Sequence, residues 1–142
     1  MKKIAAFILI GLFLGFLVFV YAQQEAKEMK VDPTKELAKS IENGKKLFND
    51  KSLGTSGMNC NSCHMEGGTK KGKMGEMVIL PWSNLASQYP KYWGMAKRVV
   101  TLDQAVNICI ANALKGKPLA WDDQKLTDLT AYCASVKTEE TK

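Results

Sequence analysis

Histidine is almost absent from this sequence. His64 is the only one among 142 residues, so a metal site built on two histidines of this chain is excluded. Cysteine is also sparse, with four residues, and Cys109 and Cys133 are not paired in a second C-x-x-C motif. A zinc site of the usual four-ligand kind is therefore disfavoured.

Strand-like patterns are missing as well, and so are internal repeats and low-complexity segments. Residues 51–59 and 67–75 are rich in Gly, Ser, Thr and Lys, which is typical of loops. No apolar, strand-like run precedes Cys60, which disfavours a thioredoxin-like redox pair. The sequence therefore predicts an all-α domain.

The stretch "MNCNSCHMEGG" contains a C-x-x-C-H motif made of Cys60, Cys63 and His64. This spacing is typical of the covalent attachment of a c-type haem. We therefore expect one haem c, bound through Cys60 and Cys63, with His64 as one axial ligand of the iron. Because no second histidine exists, the other axial position falls to sulfur, a small donor such as water, or a partner's group.

The N-terminus has the pattern of an export signal. Two lysines precede an uncharged run over residues 4–20, and small residues follow at the usual cleavage spacing. The run is slightly long for a signal core of about 7–15 residues and slightly short for a spanning helix of about 20. Residues 1–22 are thus a signal peptide or an uncleaved membrane anchor, and membrane contact follows only from the second. Either way we expect a periplasmic protein, soluble or anchored to the outer face of the cytoplasmic membrane.

The rest of the chain is long enough for one small domain. We assign 23–31 to a linker, 32–137 to a monohaem cytochrome c domain and 138–142 to a tail. A hydrophobic core of this size gives only marginal stability, and a buried macrocycle would enlarge the core. The net charge is +6, or +4 once the two signal lysines are removed. This mildly basic balance favours anionic small molecules or acidic protein partners and gives no indication of nucleic-acid binding.

Three helices are predicted from periodicity and end signals. The first begins at Asp32-Pro33 and continues to Phe48. Gly44 lies on its apolar face, where a close helix crossing and a tolerated surface glycine are equally compatible with the spacing. The second helix covers 102–115, and the last begins at Asp122 or Asp123 and ends at Lys137. The second has capping-box spacing between Thr101 and Gln104 and stop signals at Gly116 and Pro118.

The second helix carries Cys109 on one face with Leu102, Val106 and Ala113. Cys109 should therefore point into the core, where it is a candidate axial ligand. Three alternatives compete with this role. Cys109 can be a small buried hydrophobe or form a disulfide with Cys133, and a methionine can be the ligand instead. The candidate methionines downstream of the motif are Met74, Met77 and Met95.

Several motifs resemble those of known families. A G-K-K-L-F helix, the C-x-x-C-H motif and a final L-x-x-L-x-x-Y-C helix are similar to class I cytochrome c domains in general. The block 88–119 more specifically resembles the cysteine-ligated haem domain of the thiosulfate dehydrogenases and the related SoxA subunit of the Sox system. The matching motifs are Tyr89-Pro90-Lys91-Tyr92, Thr101-Leu102, Val106-Asn107-x-Cys109 and Gly116-Lys117-Pro118-Leu119.

The resemblance implies a class I cytochrome c fold wrapped around the haem, with His64 and Cys109 as axial ligands and Cys109 at the active site. Two features depart from the family. Its usual arginines flank the Asn–Cys step, whereas this chain has neutral or acidic residues over 103–105 and 112–114. Lys97 and Arg98 are nearby cations that are either solvated surface charges or substitutes for those arginines. A second C-x-x-C-H motif, which the thiosulfate dehydrogenases carry, is also missing.

These features favour an electron-transfer protein linked to the oxidation of thiosulfate or other inorganic sulfur compounds. Its partner would be an electron donor or acceptor protein, such as another cytochrome. The alternative is a thiosulfate dehydrogenase-like oxidoreductase that acts on a sulfur oxyanion, with Cys109 as the catalytic residue. The missing arginines and the single haem motif argue against an independent enzyme. The lysines expected to steer an acidic partner are Lys70, Lys71, Lys73, Lys91 and Lys97.

Overall fold

The protein was analysed as a computed structural model that describes residues 31–138. The predicted segment 1–22, nearly all of the predicted linker and residues 139–142 lie outside the described residues. The chain divides into two units, 1–36 and 37–142. Residues 31–36 are the described part of the first unit, and the site lies in the second. Over 31–138, no helix combines the length and apolar character needed to cross a membrane.

Helix α1, Pro33–Phe48, begins where the sequence predicts. An Asp32 carboxylate oxygen accepts a hydrogen bond from the Thr34 amide at 3.0 Å, and proline occupies the first helical position. Its apolar face starts later than predicted, because Leu37 is 56 % exposed whereas Phe48 is 1 % exposed. The helix therefore packs through its C-terminal half.

The last helix, α5 (Gln124–Ser135), crosses α1 at Gly44. A Cβ atom added to Gly44 would overlap the Asp128 carbonyl and lie 2.7 Å from the Cβ atom of Tyr132. The buried Asp128 carboxylate accepts hydrogen bonds from Ser40 Oγ at 2.6 Å and from Gln124 Nε2 at 2.7 Å. These contacts confirm the close-crossing interpretation of Gly44.

Helix α4, Leu102–Asn112, carries the predicted cysteine face. Gln104 Oε1 accepts a hydrogen bond from the Thr101 amide at 3.3 Å, as capping-box spacing predicts. The helix ends at Asn112 and not at the predicted residue 115, and Lys115 takes the positive φ of +57° that ends the turn. The remaining helical segments are short: the 3₁₀ turns Lys51–Leu53 and Cys60–Ser62 and the single-turn helices α2 (Met65–Gly68) and α3 (Leu85–Gln88).

Two β-hairpins correct the all-α prediction. Strands β1 (Gly72–Met74) and β2 (Met77–Ile79) pair antiparallel, as do β3 (Lys91–Trp93) and β4 (Arg98–Val100). Each strand has three residues, too few for an alternating pattern to be visible in the sequence. The domain is thus about half helical over the described residues, with two small sheets.

The hydrophobic core lies where α1, α4 and α5 meet. Phe48, Ile110 and Leu129 are each no more than 1 % exposed. Every residue predicted for the apolar face of α5 is buried: Leu126, Leu129, Tyr132, Cys133 and Val136. Part of this core also forms the wall of a large cavity.

Candidate functional site

A cavity of about 530 Å³, which we name the central cavity, lies beside the core in the unit 37–142. Its walls come from the C-x-x-C-H segment, α4, α5, both hairpins and the chain between the hairpins. Most of its lining side chains are hydrophobic or aromatic. The volume is within the range of about 300–1,000 Å³ that is usual for cofactor and small-molecule sites.

The three residues of the C-x-x-C-H motif all line the central cavity. Asn59 fixes the start of the motif, since its side-chain oxygen accepts a hydrogen bond from the Ser62 amide at 2.9 Å. The His64 amide in turn donates to the Cys60 carbonyl at 2.9 Å. This local turn places the two thiols and the imidazole in one wall of the cavity.

The imidazole of His64 lies beside two aromatic rings in the wall of the central cavity. The centroid of its ring is 4.6 Å from that of Trp82 and 6.4 Å from that of Phe48. Burial lowers the pKa of the imidazole to about 4, so the ring is neutral at pH 7. Its buried Nδ1 atom has no hydrogen-bond partner among the described residues. A neutral imidazole in a cavity wall fits the role of an iron ligand.

Trp82 is a residue of this site that sequence reasoning missed. Its amide donates to the Gly68 carbonyl at 2.8 Å. A Cβ atom at Gly68 would overlap the Trp82 ring, and Gly68 has a φ of +93°. The double glycine that follows the motif thus allows the tryptophan to pack against His64. That glycine pair was the only signal of this contact in the sequence.

Cys109 points into the central cavity, as the helical spacing predicts. It lines the cavity together with Leu102, Val106 and Ala113. Burial, followed by the charge of Cys63, raises the pKa of the Cys109 thiol to about 11. As a free thiol it is therefore protonated at pH 7, and a bound metal ion would favour its thiolate form.

All four cysteines of the chain are free thiols in this structure, so the alternative of a Cys109–Cys133 disulfide is not found. Cys133, on α5, is 5 % exposed and also lines the central cavity. Burial raises the pKa of its thiol above the usual range and raises that of Cys60 to about 12. The cavity thus gathers every thiol in the sequence.

The candidate methionines reach the same cavity from the hairpins. Met74 and Met77 flank the turn of the first hairpin, and Met95 lies in the turn of the second. Met77 and Met95 are each 50 % exposed. The structure therefore brings His64 together with both kinds of sulfur donor that the sequence predicts.

Asn107 is a second residue whose role sequence reasoning missed. Its side-chain amide donates to the Leu119 carbonyl at 3.0 Å, and its side-chain oxygen accepts from the Leu119 amide at 2.8 Å. This pair of bonds ties the segment after α4 back onto the helix that carries Cys109. The Asn–x–Cys motif and the Gly-Lys-Pro-Leu motif are thus two halves of one contact.

The predicted cations divide into two groups. Lys70, Lys71, Lys73 and Lys97 are exposed and line neither the central cavity nor its neighbour. Lys91 is half-buried and lines the central cavity. Arg98 is also exposed, and it lines a neighbouring cavity of about 300 Å³, the side cavity, with Gln104, Asn107 and Asn112.

Comparison with known proteins gives consistent matches. The family model described as "SoxA/TsdA, cytochrome c domain" matches residues 43–140. The chain is 34% identical over 116 residues, 81% of its length, to the SoxA subunit of L-cysteine S-thiosulfotransferase from Chlorobaculum tepidum. It is 31% identical over 75 residues, 53% of its length, to a thiosulfate dehydrogenase from Psychrobacter arcticus. A thiosulfate dehydrogenase from Allochromatium vinosum is 28% identical over 106 residues, 70% of the chain. The chain spans between 21% and 38% of the length of these curated relatives.

Proposed function

Because the chain belongs to the SoxA/TsdA cytochrome c domain family, we propose that it is a single-haem c-type cytochrome that transfers electrons in the oxidation of thiosulfate or other inorganic sulfur compounds. The observation that carries the proposal is the central cavity, whose wall contains Cys60, Cys63, His64 and Cys109 together. The proposed domain covers 32–137 and acts in the periplasm, on the basis of the N-terminal sequence pattern.

The residues present fit a haem c. Cys60 and Cys63 would hold it through thioether bonds, and the buried imidazole of His64 would bind its iron. The surrounding wall is mainly hydrophobic and aromatic, which suits a large macrocycle. When bound, the haem supplies a one-electron couple. The chain's own residues would orient the ligands and set the reduction potential of the couple through them.

Cys109 is the proposed second ligand. It lies on an eleven-residue helix whose middle is bonded through Asn107 to Leu119, whereas Met77 and Met95 are half-exposed and lie at the hairpin turns. A thiolate donates charge to ferric iron and lowers the reduction potential, and a methionine raises it. With Cys109 as a ligand, the protein would accept electrons only from strong donors and pass them to a separate protein such as another cytochrome.

A second candidate function is that of a thiosulfate dehydrogenase-like oxidoreductase with Cys109 as the catalytic residue. The names of two relatives suggest it. The specific observation that favours it is a pair of cations: Lys91 lines the central cavity, and the exposed Arg98 lines the side cavity. A thiosulfate dianion approaching Cys109 would require such positive charge.

The proposal is tested by expressing the full chain with a haem-attachment system and measuring covalent haem and thiosulfate-dependent reduction. Covalent haem should be lost in a Cys60→Ala, Cys63→Ala double variant. Reduction of the haem by thiosulfate alone would support the second candidate function. Reduction only in the presence of a sulfur-oxidising protein would support the carrier. Wild-type protein that carries no covalent haem would overturn both.

A further inference from the structure

Asn107 and Cys109 face opposite sides of α4. Successive residues of an α-helix are rotated by about 100°, so residues two positions apart differ by about 200°. The cavities agree with this geometry, because Cys109 lines the central cavity, Asn107 lines the side cavity and Ile108 lines both. A bond made by the Asn107 side chain therefore acts on the side of α4 opposite to the proposed iron ligand.

The Asn107 side chain engages both main-chain polar groups of a single residue, Leu119. Its amide donates to the Leu119 carbonyl at 3.0 Å, and its oxygen accepts from the Leu119 amide at 2.8 Å. Leu119 is itself partly buried and packs against the hydrophobic core. Because donor and acceptor are both used, the pair of bonds fixes the orientation of this side of α4 relative to Leu119.

Residues 113–119, which we name the connecting segment, are also attached to the chain that precedes the C-x-x-C-H motif. The Ser56 amide donates to the Leu114 carbonyl at 3.0 Å. A Cβ atom added to Gly54 would overlap the same carbonyl, so the two main chains are in direct contact. Ser56 lies four positions before Cys60. The connecting segment thus joins the region of the haem motif at one end to Asn107 at the other.

We propose that Asn107 is a positioning residue, whose two bonds to Leu119 set the rotation of α4 about its axis and hold the Cys109 sulfur toward the iron. This inference rests on the proposed function, because it concerns the ligand that the proposed function assigns to Cys109. Ligands work only when they are held within about 0.5 Å of their productive geometry, so rotation of α4 would weaken the bond from sulfur to iron. The connecting segment provides the fixed reference against which α4 is held.

The test is a titration of the ferric full-chain haem protein with imidazole, which competes with Cys109 for the iron. The loss of the thiolate spectrum reports the competition. Asn107→Ala removes both bonds to Leu119, so the imidazole concentration at the midpoint should fall by about tenfold. Asn107→Asp preserves the size of the side chain and its acceptor but loses the donor, so its midpoint should fall severalfold.

Ser40→Ala is the matched control. Ser40 Oγ donates to the buried Asp128 carboxylate at 2.6 Å, so this variant also loses a partly buried hydrogen bond, but one that does not involve α4. Urea unfolding should show that Ser40→Ala and Asn107→Ala are both less stable than wild type. The imidazole midpoint of Ser40→Ala should nevertheless stay within about twofold of the wild-type value.

A lower midpoint in both Asn107 variants, together with an unchanged midpoint in Ser40→Ala, supports the positioning role, even if thiosulfate never reduces the haem and the proposed electron transfer fails. Asn107 variants that are less stable but keep the wild-type midpoint overturn it, and so does an equal fall in Ser40→Ala. If Asn107→Ala does not fold, the midpoint of Asn107→Asp decides alone. Wild-type haem protein without a thiolate spectrum overturns both this inference and the assignment of Cys109 as a ligand.

Discussion

At the scale of single residues, the imidazole of His64 depends on neighbours that its motif does not contain. Trp82 packs against it with a centroid distance of 4.6 Å, and Trp82 in turn meets Phe48 edge-on at 5.6 Å. These rings keep water from the imidazole, and burial holds its pKa near 4. This arrangement suits an electron-transfer site, because an imidazole that is neutral and held in position can bind iron.

Replacing Trp82 by leucine should therefore destabilise the haem protein. Loss of the aromatic contacts with His64 and Phe48 leaves a cavity, and we expect the free energy of unfolding to fall by about 2–4 kcal/mol. Trp121→Leu is the matched control, because Trp121 is 87 % exposed, and it should change the stability by less than about 0.5 kcal/mol. Urea unfolding of both variants makes the measurement. Equal effects at the two positions would contradict the packing described for Trp82.

At the scale of elements, the crossing of α1 and α5 positions the segment that leads into the haem motif. The contact is close because Gly44 has no side chain, and the buried Asp128 is satisfied by Ser40 and Gln124. Tyr132, one turn further along α5, donates to the Gly67 carbonyl at 3.3 Å. The crossing is therefore linked through Tyr132 to the turn that follows His64.

Gly44→Ala should weaken this crossing. The added Cβ atom overlaps the Asp128 carbonyl, and overpacking of this kind costs about 1–3 kcal/mol. The better helix propensity of alanine offsets about 1 kcal/mol of that cost. The control is Gly94→Ala, because no atom lies within 4 Å of an added Cβ there. Thermal or urea unfolding should show a clear loss for the first variant and none for the second, and a stabilised Gly44→Ala protein would refute the crossing.

The long helices could be predicted from the sequence because their signals are local. Two helix starts are marked by residues close together in the sequence, namely Asp32-Pro33 and the pair Thr101 and Gln104. Helical spacing of three and four residues places Cys109 on the inner face of α4. The structure confirms this prediction, because the residues of that face line the central cavity. Predicting the haem required only the C-x-x-C-H spacing.

Other features depend on contacts between distant parts of the chain. Three-residue strands have no readable period, so both hairpins were missed. The exposure of Leu37 depends on which part of α1 packs against α5, and the bonds between Asn107 and Leu119 form only when the chain turns back. The end of α4 was predicted too far along the chain, at residue 115 and not at Asn112. Lys115 adopts a positive φ, a conformation in which glycine is the usual residue, so its identity gave no sign of a helix end.

At the largest scale, that of the described domain, exposed lysines lie in and just before the first hairpin, part of which lines the central cavity. Lys73 lies in strand β1 next to Met74, which lines the cavity, and Lys70 and Lys71 precede that strand. All three lysines are exposed. A negatively charged redox partner would thus be attracted toward the hairpin beside the proposed haem.

The reaction of the reduced protein with an anionic oxidant should therefore depend on salt. The rate with ferricyanide should fall severalfold between low and high ionic strength, whereas the rate with a cationic cobalt complex should not fall. Replacing Lys70, Lys71 and Lys73 by glutamine should slow the ferricyanide reaction at low salt. The same change at Lys45, Lys46 and Lys51, which are exposed on another part of the chain, is the control. Equal slowing by both triple variants, in stopped-flow measurements, would show that net charge and not this hairpin is responsible.

The proposed binding of the haem iron by His64 and Cys109 together can be tested by optical and electron paramagnetic resonance spectra of the ferric full-chain protein and its Cys109→Ala variant. Met74→Leu, Met77→Leu and Met95→Leu serve as controls, since all three methionines line the same cavity. We expect low-spin thiolate signals that are lost in Cys109→Ala and retained in every methionine variant. Spectra unchanged in Cys109→Ala, with a methionine charge-transfer band that disappears in one of the leucine variants, would contradict the assignment of Cys109 as a ligand.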